Sequence, residues 1–302
     1  MNSSLAAGLL IALLTPGCNA GGPDLTAPSP AVHPAAARLA AQPLAQTLSE
    51  PGEFSATRAF EHVRALAGGI GPRPAGSFGY RKAVRYVHET FATLGYRARL
   101  VPFDLPNGST SRNVVATWPS PARRRILIGA HLDTVPRSPG ANDNASGVAV
   151  ILELARILAG TREARDIRFV AFGAEEVQPG GGHHFGSTAY AEKTRPRAMV
   201  SVDMIGLDRL LIVGWMGIGK RGTVAALLKA ARESGARARE EILPDWSDNG
   251  PFERAGVPAA FLWTGDEPNH HRPTDVVANV AKPALRRAGI LLIRFVTMQI
   301  DR

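Results

Sequence analysis

The sequence of 302 residues contains a single cysteine, Cys18, so no disulfide bond can form within one chain. It contains no Gly-x-Ser-x-Gly segment, which argues against a serine hydrolase with a nucleophile elbow. It also lacks a glycine-rich loop followed by Lys-Ser or Lys-Thr, which argues against P-loop nucleotide binding. These absences argue against the common nucleophilic and phosphate-binding schemes.

Lysine is scarce, and the net charge of +9 comes mostly from arginine. A basic chain can bind nucleic acid, but the arginines are scattered apart from Arg123-Arg124-Arg125, and no aromatic-rich stripe accompanies them. We therefore interpret the charge as a solvated surface and expect no nucleic-acid partner. The alternative, a basic non-enzymatic binding module, predicts salt-sensitive binding of oligonucleotides without any need for metal.

The start of the chain has the pattern of an export signal. Residues 5–14 are almost wholly apolar, which fits a signal-peptide core and is too short for a membrane span. Small residues then precede Cys18, as in bacterial lipoprotein signals, where the cysteine is lipidated. We predict a signal peptide over residues 1–18 and an exported protein, either a periplasmic or cell-envelope lipoprotein or a secreted form. Cleavage by ordinary signal peptidase after Ala20 is the alternative.

Residues 19–53 are rich in Ala and Pro and predict a flexible tether. The remaining residues, 54–302, are enough for one domain with a sizeable core. Strands alternate with helices there, which predicts an α/β fold with a mixed, mostly parallel central sheet and helices on both faces. The predicted helices cover 54–67, 80–94, 146–158, 186–192, 223–234 and 283–298. The predicted strands cover 97–103, 113–118, 126–130, 167–172, 198–202, 210–213 and 259–263.

Imidazoles and carboxylates recur at or just after the ends of these strands, where open α/β sheets collect their active sites. Two imidazoles with several carboxylates suit Zn²⁺ or a similar divalent ion. The spacing over the chain is typical of a two-metal hydrolase. The residues are His131, Asp143, Glu175, Glu176, Asp203 and His271.

Each of these motifs has a functional interpretation beside a simpler one: a loop histidine at a strand end for His131, a helix cap for Asp143 and an exposed acidic turn for the two glutamates. In His131-Leu-Asp133 the two side chains share one side of an extended segment, so the Asp133 carboxylate could accept a hydrogen bond from His131. Asp143 could cap a helix or bridge two metals. Of the adjacent acids, one can bind a metal while the other serves as a general base. The pair His183-His184 follows a glycine run, and we expect it at the surface or rim.

Taken together, the motifs resemble the family-28 zinc metallopeptidases, which include bacterial leucyl aminopeptidases. The resemblance runs from Gly71-Pro-Arg-Pro-Ala-Gly-Ser77 to the C-terminus and includes a segment similar to the family's Ser-Asp-His-x-x-Phe at 246–252. It implies a zinc exopeptidase fold, two Zn²⁺ per chain and peptide substrates with a free N-terminus. It further implies that His131 and Asp203 hold one zinc, Glu176 and His271 the other, with Asp143 bridging, Glu175 as general base and a cis Asp143–Asn144 bond.

The sequence departs from that pattern in two places that concern substrate preference. His270 stands where the family often has Tyr, and Asn249 replaces the His of the Ser-Asp-His segment. We expect His270 and Asp248 near the substrate or its oxyanion, and Asp133 in a catalytic supporting role. The main alternative is a glutaminyl cyclase-like aminoacyltransferase, which shares the fold but uses one zinc. The oligomeric state is not predicted.

Overall fold

The computed structural model describes residues 52–120 and 125–300. The predicted signal peptide, Cys18 and nearly all of the predicted tether lie outside the described residues, so these assignments stay predictions. Within the described ranges, no helix is both long and apolar enough to cross a membrane.

Eight strands form one mixed sheet. In the order of the sheet they run β1-β2-β4-β3-β5-β8-β6-β7. The four central strands, from β4 to β8 in that order, are parallel to one another, and β6 pairs with β8 in the antiparallel sense. The predicted mixed, mostly parallel sheet is confirmed. The strands are β1 Arg97–Asp104, β2 Thr110–Thr117, β3 Ile126–His131, β4 Ile167–Phe172, β5 Ala198–Val202, β6 Leu211–Trp215, β7 Ala238–Ile242 and β8 Ala259–Trp263.

In the central strands, buried and exposed residues do not alternate as they do in a half-exposed strand, because helices cover both faces. Every residue of β3 and β5 is buried. Neighbouring side chains point to opposite faces, so Ile126 and Ile128 join one hydrophobic cluster and Leu127 joins another. Within residues 52–120 and 125–300, the α-helices are α1 Ala56–Val63, α2 Phe78–Thr93, α3 Gly147–Leu158, α4 Phe185–Lys193, α5 Gly222–Ser234, α6 Asn249–Arg254 and α7 Lys282–Ile300.

The helices are divided unequally between the faces. Buried side chains of α1, α2, α3, α5 and α7 belong to the larger cluster. On the other face, Tyr190 of α4 and Phe252 of α6 pack against Phe172 with ring centroids 6.2 and 6.1 Å apart. A fully buried Phe side chain stabilises a fold by about 1.5–3 kcal/mol, so this aromatic group holds α4 and α6 against the end of β4. That end is where the predicted site begins.

Most predicted elements agree with the structure, and the strands 167–172, 198–202 and 259–263 have the predicted bounds. Two elements, β7 and α6, were not predicted. β7 is Ala-Arg-Glu-Glu-Ile, whose charged residues hide any apolar pattern, and it is formed by pairing with β6 at the sheet edge. α6 has only six residues and contains Pro251, which makes it too short to show helical periodicity.

Candidate metal centre

The predicted site residues meet at the carboxyl edge of the parallel strands. His131 ends β3 and lies opposite Phe172, the last residue of β4, so the Glu175–Glu176 pair follows at the same edge. Asp203 directly follows β5. An irregular helical turn carries Asp143 to this edge, and a loop carries His271. All six predicted residues therefore lie in one cluster.

The carboxylate of Asp143 lies between two imidazoles. Its Oδ1 is 3.1 Å from Nε2 of His131, and its Oδ2 is 3.2 Å from Nε2 of His271. Each imidazole also faces a second carboxylate: His131 Nε2 is 3.3 Å from Asp203 Oδ1, and His271 Nε2 is 3.0 Å from Glu176 Oε2. The cluster thus divides into two groups that share Asp143, the same two groups that the sequence resemblance implies.

An irregular helical turn, Ala141–Ser146, presents Asp143 to the site. Asp143 and Asn144 have non-helical backbone angles, and the bond between them is cis, as the resemblance implies. The side chain of Asn144 accepts a hydrogen bond from the Gly147 N–H at 2.9 Å, at the start of α3. Asn144 therefore takes the capping role considered for Asp143, and the Asp143 carboxylate is left to face the two histidines.

Asp133 supports the site differently from the sequence prediction. Its carboxylate accepts hydrogen bonds from the backbone N–H groups of Glu175 at 3.0 Å and Glu176 at 3.2 Å. Nδ1 of His131 lies 3.3 Å from the Asp133 backbone carbonyl and 3.9 Å from its carboxylate. The predicted carboxylate–imidazole hydrogen bond is therefore wrong, because β3 ends at His131 and the alternation of an extended strand does not continue to Asp133.

His184 is a part of the site that the sequence analysis missed. It was expected at the surface or rim with His183, but it is buried, and its Nε2 lies 2.9 Å from Oε1 of Glu175. Its Nδ1 lies 3.4 Å from Oδ1 of Asp245. His183 is exposed, as expected. The apolar Phe185 directly after the pair was the available signal, since it marks the start of a packed helix.

The two residues assigned to the substrate differ in their positions. His270 lies at the site, with its Nε2 3.4 Å from Asp143 Oδ2. Asp248 is fully buried and does not line the cavity described below, so a direct contact with substrate does not fit its position. Its neighbour Ser247 reaches the site instead and donates a hydrogen bond to Asp203 Oδ2 at 2.8 Å.

Negative charge is concentrated at this edge of the sheet. Burial raises the pKa of Glu176 to about 8, and the charge of Asp143 is the second largest cause. Burial also opposes ionisation of Asp143, but hydrogen bonds from His131, His270 and His271 hold its pKa well below the ordinary value. Oε1 of Glu176 is buried and accepts no hydrogen bond from any described residue. Crowded carboxylates with a free buried oxygen and two imidazoles fit a divalent cation such as Zn²⁺.

A buried arginine lies beneath the cluster. Arg73 is fully buried and donates hydrogen bonds to the backbone carbonyls of Leu132 at 2.7 Å, Pro139 at 2.6 Å and Gly140 at 2.9 Å. Burial lowers its pKa to about 10, opposed by the charges of Asp143 and other site acids. Arg73 therefore stays charged at neutral pH and fixes the loops before Asp143. From the sequence, its segment was identified only as the start of the family resemblance, and no role was predicted for Arg73.

Strained backbone conformations border the site. Among the described residues other than glycine, five have positive φ, and four of them adjoin the cluster: Ala174, His184, Met204 and His271. A left-handed conformation at a residue other than glycine costs of the order of 1–3 kcal/mol and persists only where its surroundings enforce it. Such strain is concentrated at functional sites, which agrees with the convergence of acids and imidazoles here.

The cluster opens into a cavity of about 330 Å³. The lining of the cavity combines the acids and imidazoles with apolar residues that include Met204, Phe261, Trp246 and Trp263. The last two rings meet edge to face, 5.6 Å apart. A cavity lined by both a polar cluster and aromatic side chains is suited to hold a small ligand or the end of a chain.

Residues 113–296 match the protein family described as peptidase family M28. The chain belongs to this family. It is 35% identical over 185 residues to aminopeptidase YwaD of Bacillus subtilis, a match covering 55% of this chain and 39% of the relative. It is 31% identical over 202 residues to leupeptin-inactivating enzyme 1 of Streptomyces exfoliatus, covering 65% and 45%. The chain thus spans less than half the length of either relative.

Solved structures show the same fold. A zinc aminopeptidase from Bacillus subtilis superposes with a TM-score of 0.76 at 19% identity, covering 83% of this chain and 96% of that one. A glutaminyl cyclase from Porphyromonas gingivalis gives a TM-score of 0.71 at 23% identity, covering 82% and 99%. The predicted zinc exopeptidase fold is confirmed. Because both kinds of enzyme share it, the fold does not choose between their reactions.

Proposed function

We propose that this M28 family member is a metal-dependent aminopeptidase that removes N-terminal residues from peptides and uses two zinc ions. The observation that carries the proposal is the position of Asp143, whose two carboxylate oxygens face different imidazoles at 3.1 and 3.2 Å. Each imidazole is paired with a further carboxylate. Two donor groups that share one carboxylate suit a pair of ions.

His131 and Asp203 would hold one ion and Glu176 and His271 the other, with Asp143 between them. When bound, the ions would polarise the scissile carbonyl and lower the pKa of a water molecule. The chain itself sets the donor positions. Asp275, Ser247 and Asp133 hold the backbone or side chains of the proposed ligands by hydrogen bonds, the kind of outer support that fixes ligand orientation.

Glu175 would act as the general base. Its backbone N–H is fixed by Asp133, its Oε1 faces His184, and its Oε2 lies 3.9 Å from Nδ1 of His131. It would accept a proton from the attacking water and deliver it to the leaving amine. Glu175 belongs to neither donor group, so it can exchange protons while Glu176 binds metal.

The surroundings of the site favour an exopeptidase. The acids around the cavity would attract the positively charged amine of a peptide N-terminus. The aromatic wall formed by Trp246, Trp263 and Phe261 would contact the side chain of the first residue. Relatives named aminopeptidases support this assignment. Glutaminyl cyclase chemistry on the same fold is the alternative, and it is the second outcome of the test.

The test uses the protein stripped with a chelator and reloaded with Zn²⁺. We expect the reloaded protein to release nitroaniline from a panel of aminoacyl-p-nitroanilides, and the stripped protein to be inactive. The N-acetylated forms of the same compounds are the matched control and should not be cleaved, because they lack the free amine. Cleavage by the stripped protein, or cleavage of the acetylated compounds, would contradict the proposal. Cyclisation of an N-terminal glutamine without peptide cleavage would support the alternative.

We propose in addition that the protein is exported and attached to the membrane through a lipidated Cys18. The apolar run at 5–14 and the small residues before Cys18 support this. A relative at 29% identity is named a probable lipoprotein aminopeptidase from Mycobacterium tuberculosis. One acyl chain binds membranes only marginally, so anchoring needs more than one. Membrane fractionation of wild type and Cys18→Ala tests the proposal, and equal release of both would contradict it.

A further inference from the structure

Glu175 and His184 form a buried contact to which the proposed mechanism assigns no role. Oε1 of Glu175 lies 2.9 Å from Nε2 of His184, and both residues are buried. The other oxygen of Glu175, Oε2, lies 3.9 Å from Nδ1 of His131, a proposed metal ligand, and Glu175 lines the cavity. The two oxygens of the proposed base are therefore in different environments, one held by the imidazole of His184 and one beside a proposed metal ligand.

The contacts of His184 indicate that its Nε2 carries a proton. Its Nδ1 faces Oδ1 of Asp245 at 3.4 Å, and the other oxygen of Asp245 accepts a hydrogen bond from Arg254 at 2.5 Å. Carboxylate oxygens thus face both ring nitrogens, and an ionised carboxylate can only accept. Nε2 of His184 therefore donates its hydrogen bond to Glu175, and the bond is charge-assisted.

The backbone fixes the position of this imidazole. The N–H groups of three consecutive residues donate to carbonyls at the end of β4: His184 to Glu175 at 2.9 Å, Phe185 to Ala174 at 2.9 Å, and Gly186 to Gly173 at 3.0 Å. A Cβ on Gly186 would lie 2.3 Å from the carbonyl oxygen of Gly173, so only glycine permits this approach. His184 itself has a φ of 59°.

We propose that His184 is a positioning residue that holds Oε1 of Glu175 and leaves Oε2 to face the reacting water. The proposal rests on the proposed function, because it needs Glu175 to be the general base. A free glutamate side chain samples several rotamers, and a base must be held close to its productive geometry to act in each encounter. His184 selects one orientation through a single directed hydrogen bond.

The main test compares His184→Leu, which removes the donor, with His184→Gln, which keeps a side-chain N–H. A matched control is His88→Leu, on α2 and outside the site. On the aminoacyl-p-nitroanilide that wild type cleaves fastest, His184→Leu should lower kcat about 10–100-fold with KM changed little and zinc content unchanged. His184→Gln should recover part of kcat, and His88→Leu should match wild type. A His184→Leu variant with wild-type kcat, or with lost zinc, would overturn the proposal.

A double-mutant cycle tests whether His184 acts through Glu175. In a Glu175→Gln background, His184→Leu should cause little further loss of kcat. If the two losses multiply in full, His184 acts independently of Glu175 and the proposal fails. If wild type cleaves no aminoacyl substrate, or Glu175→Gln keeps wild-type activity, the proposed function fails instead.

A measurement on metal-free protein needs no activity. Proton NMR of wild type should show a slowly exchanging, downfield imidazole N–H resonance from His184, because this proton is buried and hydrogen-bonded. The resonance should be absent from His184→Gln, which also serves if the Leu variant does not fold, and should shift in Glu175→Gln. A wild-type spectrum without it would overturn the proposed contact.

Discussion

The carboxylate of Asp275 holds the backbone of Asp143. Its Oδ2 accepts a hydrogen bond from the Asp143 N–H at 3.0 Å, and its Oδ1 accepts one from the N–H of Asn142 at 2.8 Å. Asp275 is fully buried and lies four residues after His271 in the chain. One short segment therefore supplies a proposed ligand and also fixes the turn that carries the shared carboxylate.

We predict that Asp275→Asn weakens zinc binding. The amide would present an N–H₂ group to one of the two backbone donors, which would leave that donor unpaired at a cost of about 1–3 kcal/mol. Loss of such outer support weakens metal affinity about 10–100-fold. Zinc retention in a chelator titration gives the measurement. Asp208→Asn, an exposed carboxylate paired with Arg287, is the control and should bind zinc like wild type. Equal affinities for all three proteins would show that the Asp275 contacts do not support the centre.

The adjacent glutamates should give opposite results when each is changed to glutamine. Glu175→Gln keeps the size of the side chain but cannot accept a proton, so kcat should fall by about 10²–10⁴-fold with zinc retained. Glu176→Gln should lose zinc at one site, because Glu176 is paired with His271 at 3.0 Å. Zinc content and kcat of both variants make the comparison. If Glu175→Gln loses zinc and keeps its rate once reloaded, the two roles are exchanged.

His270 and His271 are a second pair of adjacent residues to which we assign different roles. Both place Nε2 near Oδ2 of Asp143, at 3.4 and 3.2 Å, and His271 also reaches Glu176. His271→Ala should therefore lower zinc content, whereas His270→Ala should lower the rate with zinc retained. Metal analysis beside steady-state kinetics distinguishes them. The reverse pattern would show that the assignment is off by one residue.

His62 should make the fold sensitive to acid. It is buried in α1 with its Nδ1 2.6 Å from the Tyr86 hydroxyl, and burial, then the charge of Arg58, lowers its pKa from 6.5 to about 4. Between those pH values the unfolded chain binds a proton that the folded chain does not, so stability falls as the pH drops through this window.

From pH 7 to pH 5 this group should remove about 2 kcal/mol from the free energy of unfolding. Urea unfolding of metal-free protein at both pH values measures the loss. His62→Gln does not titrate and should lose less than wild type by that amount. The same loss in both proteins would assign the acid sensitivity to other groups.

The sequence predicted the elements of the fold where burial alone decides them. β4, β5 and β8 are short apolar runs, and their bounds were predicted correctly because the parallel strands are covered on both faces. β7 and α6 were missed because neither has a periodic pattern of apolar residues. Both depend on partners distant in sequence, β6 for the strand and Phe172 for the helix.

Asp143 and His271 were assigned as ligands through the family resemblance, and the rest of the site could be predicted only as far as side chains follow strand ends. His131, Glu176 and Asp203 do so, and they were predicted as ligands. Arg73, Asp275 and His184 were missed as parts of the site because their roles depend on loop paths that no local pattern specifies. Arg73 reaches carbonyls 59 to 67 residues away in sequence. Such contacts exist only once the sheet has brought the loops together.

The central claim is that Asp143 is shared by two metal ions. Anomalous diffraction at the zinc edge from crystals of the zinc-loaded protein tests it most directly. We expect two peaks, one beside His131 and Asp203 and one beside Glu176 and His271, each about 2.0–2.2 Å from a different oxygen of Asp143. A single peak, or two peaks of which only one contacts Asp143, would contradict it.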